Sequence, residues 1–114
     1  MSRGDDARLL DIVLAGRKVA GFISGVPRDK FTDDQMRVSA TIREISVVGE
    51  AAMNVSAIFR EAHAGIPWKV LRGMRDVLVH AYHRTDFDVV IKTAYYALPR
   101  IVAALEPLLP KEID

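Results

Sequence analysis

The chain of 114 residues contains no cysteine. That excludes a disulfide framework and thiolate metal sites, and it fits a reducing cytoplasm, the location we expect. Aromatic residues are sparse: one tryptophan, three tyrosines and four phenylalanines. So few scattered rings do not make a stacking platform for nucleobases. Neither sign of charge dominates. Sixteen Lys and Arg face fifteen Asp and Glu, for a formal charge of +1, so any RNA binding must come from a local cluster rather than from bulk attraction. No apolar run approaches the ~20 residues that span a bilayer, and no membrane partner is expected. The polar, acidic start Met1-Ser2-Arg3-Gly4-Asp5-Asp6 is not followed by the apolar core of a signal peptide. Also missing are a glycine-rich phosphate loop, a Ser/His/Asp arrangement and a dinucleotide fingerprint. No cofactor is expected.

What is present is helical periodicity. Half of the residues are hydrophobic and 27% are charged, an ordinary balance for one globular domain spanning residues 1–114. Leu9, Ile12, Val13, Val19, Phe22 and Ile23 recur at spacings of three, four and seven, which predicts a helix from Asp5 to Ser24 with one buried face. Gly25-Val26-Pro27 ends it. Asp29-Lys30-Phe31 reads as a short connector. Thr32-Asp33-Asp34-Gln35 reads as a capping box with Thr32 as N-cap. A long helix is expected from Asp33 to about Ala62. Gly49 in its interior costs about 1 kcal/mol relative to alanine, so we read it as a point where another helix comes close. His63-Ala64-Gly65-Ile66-Pro67 should break the chain with His63 facing solvent. Pro67 suits the first position of a new helix, and Trp68 reads as its packing anchor. A last helix is expected from Phe87 to about Leu105, with Val90, Ala94, Ala97, Leu98, Ile101 and Leu105 buried and a kink at Pro99. No stretch alternates with a period of two. The expected fold is all-α: an antiparallel, up-and-down bundle of four to five helices.

The chemistry concentrates in Arg75-Asp76-Val77-Leu78-Val79-His80-Ala81-Tyr82. On a continuous helix Asp76 and His80, four apart, stack on one face, with Arg72 and His83 flanking them and Arg75 at the edge. A histidine titrating near neutrality can take the proton of a ribose 2′-hydroxyl. A guanidinium can hold a phosphate and stabilise charge building on its oxygens. Arg72, His83 and Arg84 could add RNA contacts, and Lys69 extends the basic neighbourhood. Bland readings stand beside these: Arg75 could pair with Asp76, and His80 could be an interface histidine. His80 and His83 are three apart, but no third ligand is evident and ribose chemistry needs none, so no metal is expected.

Arg75-x4-His80-x-Tyr82 resembles the Arg-x4-His-x-Tyr signature of the HepT-like family of HEPN proteins. Further similarity lies in Arg43-Glu44-Ile45, Val48-Gly49-Glu50-Ala51, Ile66-Pro67-Trp68, Gly73 to His80, Asp86 and Leu98-Pro99, so it runs along essentially the whole chain. The resemblance implies a HEPN-like bundle that acts as an endoribonuclease toxin, without metal. It implies a homodimer lining one cleft with two copies of the motif, and a minimal nucleotidyltransferase (MNT) antitoxin as partner. Carried over, Arg75 would bind phosphate, His80 would be the acid/base group, and Asp76 the polar residue that follows the motif arginine. Tyr82 would be the tyrosine to which the partner transfers AMP. An added phosphate and nucleoside would place negative charge where RNA phosphate must sit. His83-Arg84-Thr85 departs from the family's aromatic-glycine turn. The alternative is a non-catalytic helical bundle that only binds the nucleotidyltransferase.

Overall fold

A computed structural model describes residues 3–76 and 87–110. Its described residues form helices and turns, with no strand among them. Helix α1 spans Arg3–Ile23 and buries Leu9, Ile12, Val13 and Val19, while Phe22 is only half-buried. It stops at Gly25, whose φ of 73° is the left-handed conformation that glycine adopts without penalty.

The connector is a 3-10 helix, Arg28–Asp33. Its Phe31 is fully buried and meets the Tyr95 ring edge-on at 6.0 Å. The connector is therefore a core anchor, which its charged surroundings concealed. Winding this segment inward also moves the start of the next helix. Helix α2 spans Gln35–Met53, and its cap is Asp34 rather than Thr32. The Asp34 Oδ1 accepts from the amides of Met36 at 3.0 Å and Arg37 at 3.2 Å.

The expected single helix to Ala62 is in fact two. After Met53 the chain turns through Asn54, Val55 and Ser56 and restarts as α3, Ala57–Ala62. Ser56 caps α3 by accepting from the Phe59 amide at 3.1 Å. Its own hydroxyl and amide donate to the two oxygens of Asp5, at 2.7 and 2.8 Å. Asp5 is only 4% exposed, so this carboxylate from the first turn of α1 holds the break in place.

His63 is half-buried rather than solvent-facing. Its ring stacks on Phe59 at 4.3 Å, and its carbonyl accepts from the Trp68 indole at 3.0 Å. Helix α4 is Trp68–Gly73, with Pro67 at the N-cap, one position before the expected place. Trp68 is buried against Phe59, as its reading as an anchor requires.

The C-terminal segment is one helical rod in three pieces: α5 (Phe87–Lys92), a π-turn (Thr93–Ala97) and α6 (Leu98–Leu105). Val90, Ala94, Leu98, Ile101 and Leu105 are all buried and Ala97 is half-buried. The proline ring at 99 would clash with the carbonyl four residues back in a regular helix. Here the wider π-turn sits directly before it and takes up the misfit. Helix α2 is central, packing against α1 and α4, while α6 returns along α1. Arg17 of α1 and Glu106 beyond α6 form an ion pair at 2.8 Å across that contact. The result is the all-α bundle expected. No helix is long and apolar enough to cross a membrane among the described residues.

Candidate active site on the turn after α4

The chain leaves α4 through one 3-10 turn, Met74–Asp76. Its direction follows from the burial pattern before it. Trp68, Leu71 and Met74 are spaced by three and all are buried. A 3-10 helix repeats every three residues, so the turn keeps Met74 on the inward side. Arg75 and Asp76 are then forced outward, and both are exposed. Arg72, one turn earlier, is half-buried, and Lys69 is exposed.

The turn rests on α2. A methyl group built on Gly49 would overlap the backbone nitrogen of Arg75 and come within 2.7 Å of its Cα and of the Met74 carbonyl carbon. Gly49 thus does mark a close approach, as its place in a helix interior predicts. What approaches is not a generic helix face but the peptide unit that carries the motif arginine. This contact is backbone on backbone, so no side-chain rotation can relieve it.

Of the expected site residues, the structure locates Arg72, Arg75 and Asp76. Two features differ from the helix reading. Arg75 and Asp76 lie on a 3-10 turn, not in an α-helix, so the 100° steps used to orient them do not hold there. Nor do Arg75 and Asp76 pair with each other, and neither forms an ion pair among the described residues. His80, Tyr82, His83 and Arg84 lie outside the described residues, as does the His80/His83 spacing weighed for a metal.

Sequence reasoning passed over a second surface. An open groove along α5 and the π-turn is lined by residues that include Arg28, Asp29, Asp88, Lys92 and Tyr96. The Arg28 guanidinium lies 5.3 Å from the centre of the Tyr96 ring. The only sequence signal was the spacing of Asp88, Lys92 and Tyr96 by four, which shares a helix face. Two cations and two carboxylates line it together, so it is not a funnel for anions.

The model of a family described as ribonuclease HepT-like matches residues 13–108. The chain belongs to the HepT-like ribonuclease family. The match runs from the middle of α1 to just past the end of α6, so the docked turn and Gly49 both lie inside it. A family relative from Thermococcus cleftensis, named "Probable ribonuclease HepT", is 32% identical over 108 residues, covering 95% of this chain and 98% of its own. Another from Methanocaldococcus jannaschii, named "Putative RNase MJ1380", is 31% identical over 107 residues, covering 93% of this chain and 98% of its own. No solved structure matches the chain.

Proposed function

We propose that this HepT-like protein is a metal-independent RNA endonuclease, the toxin of a toxin–antitoxin pair, working as a homodimer. The observation that carries the reading is the motif arginine. Arg75 is exposed on a turn docked rigidly on the central helix, in a chain whose family model covers most of its length. A guanidinium held this way, without an acidic partner among the described residues, is free to meet a phosphate.

In the proposed reaction His80 takes the proton of a ribose 2′-hydroxyl. The 2′-oxygen bonds to the adjacent phosphorus and the bond from phosphorus to the 5′-oxygen breaks. The departing oxygen receives its proton from the second imidazole of the dimer. The products are a 2′,3′-cyclic phosphate and a free 5′-hydroxyl. Arg75 offsets the charge that grows on the non-bridging oxygens, and Asp76 orients His80. Arg72, His83 and Arg84 extend the phosphate contacts. This chemistry draws its nucleophile from the substrate, so it needs no metal-bound water.

The purified protein should cut RNA in EDTA and leave cyclic ends, and His80→Ala should abolish cutting with the helical circular-dichroism signal retained. Equal cutting by His80→Ala removes the assignment. No cutting by the wild type, with a stable nucleotidyltransferase complex, favours the non-catalytic alternative. Tyr82 is the proposed site of inactivation by the MNT-type antitoxin. Incubation with that partner and ATP should add AMP to the intact mass, and Tyr82→Phe should prevent the gain. No gain on the wild type counts against this control.

A further inference from the structure

We propose that Gly49 is a positioning residue for Arg75, setting where the guanidinium starts and so how it meets the phosphate; the inference rests on the phosphate role of Arg75 proposed above. Several independent features support it. Gly49 is buried in the central helix, where glycine is otherwise unfavourable. The atoms it admits are the Arg75 nitrogen and Cα and the Met74 carbonyl carbon, all backbone. The turn is pinned from its own side by Met74, which is 3% exposed. Gly73, which precedes the turn, has nothing within 4 Å of a built methyl, so of these two nearby glycines only Gly49 is set by contact.

Adding one methyl at Gly49 forces the turn outward by on the order of 1 Å, a displacement that typically costs up to about 100-fold in rate when it misplaces a group acting on the substrate. Gly49 touches no substrate in this scheme. Its effect passes through Arg75, and that distinguishes it from a residue that merely supports the bundle.

The test uses the whole protein and a mixed-sequence 2′-O-methyl oligoribonucleotide, which lacks the free 2′-hydroxyl and cannot be cut. Binding is measured across a salt series for the wild type, Arg75→Ala, Gly49→Ala, the double variant and Gly16→Ala. Losing one phosphate contact to a single strand should flatten the slope of log affinity against log salt by about 0.7. Arg75→Ala and Gly49→Ala should each flatten it, and the double variant should be no worse than Arg75→Ala alone. Gly16→Ala should match the wild type. A Gly49→Ala protein with wild-type slope and wild-type cleavage overturns the inference, and so does full additivity in the double variant. An unchanged slope in Arg75→Ala instead overturns the phosphate role and the inference with it, whereas loss of cleavage in His80→Ala would still stand. If Gly49→Ala does not fold, Met74→Ala loosens the same docking from the other side, and an unchanged slope in that variant sinks the proposal.

Discussion

Gly16 and Gly49 are both buried glycines inside long helices, yet they admit different things. A methyl on Gly16 would meet the Cγ2 of Val102, with Leu98 side-chain atoms at 3.6 and 3.7 Å. A methyl on Gly49 would meet the peptide of Met74 and Arg75. A side chain can turn away, and a peptide unit cannot move without carrying its residue along. The first contact is helix packing between α1 and α6, tight against the Val102 side chain and ordinary against Leu98. The second ties the position of an exposed arginine to the centre of the bundle.

The sharpest way to break this contrast is to overfill both sites. Gly49→Val should cost about 3 kcal/mol, at the upper end of overpacking in a close-packed core, because what lies opposite is backbone and gives way only by shifting the whole turn. Urea unfolding measures it, and a loss below that of Gly16→Val would reverse the comparison. Next in size is Asp5→Ala. It strips the acceptor from the half-buried Ser56 amide and hydroxyl, a loss of about 2 kcal/mol for donors left unpaired. This variant separates loosening of the bundle from displacement of Arg75: stability falls, while the salt dependence of RNA binding stays as in the wild type. A flattened slope in Asp5→Ala would show that any weakening reaches the site, and Gly49 would lose its special status. Smaller still is Gly16→Ala. The gain in helix propensity, about 1 kcal/mol, offsets the crowding of Val102, so its unfolding free energy should stay within about 1 kcal/mol of the wild type.

The same contrast explains what the sequence disclosed. The buried faces of α1 and of the C-terminal rod were legible because Leu9, Ile12, Val13 and Val90, Ala94, Leu98 keep helical spacing without interruption. That Gly49 accepts a close neighbour was legible from its cost in a helix. Which atoms approach was not, because Gly49 and Arg75 are 26 positions apart in the chain. The break after Met53 was hidden for a related reason. Ala52, Val55 and Phe59 continue the three-and-four spacing straight through it, and the group that holds the restart is Asp5, 51 residues away. Asp5 itself stood out only as part of a polar, acidic start, which says nothing of a partner at the cap of α3. Phe31 was lost among charges because one aromatic has no period. At the candidate site, Arg75 and Asp76 were singled out by their residue types and the motif, while their 3-10 geometry depends on Trp68, Leu71 and Met74 all being buried.

The last effect comes from the end of the molecule that Gly49 does not touch. The Tyr95 hydroxyl donates to the Val26 carbonyl at 2.8 Å, fastening the π-turn to the turn between α1 and the connector. Burial raises its phenol above the ordinary value of 10.0, while the nearby Arg37 and Arg28 cations pull the other way. The folded protein therefore keeps this proton to higher pH than the unfolded chain does. Stability from this group is fully present below the unfolded value and is lost as pH rises through the folded one. Tyr95→Phe should cost about 1 kcal/mol at neutral pH by removing the hydrogen bond. Its deficit against the wild type should hold up to about pH 10 and shrink over the range above it, where the phenol ionises. A deficit that stays constant across that range would mean the ionisation of Tyr95 is not coupled to folding. RNA binding near neutral pH should be indifferent to the change, because the bond lies at the turn before the connector and the docked turn lies on α2.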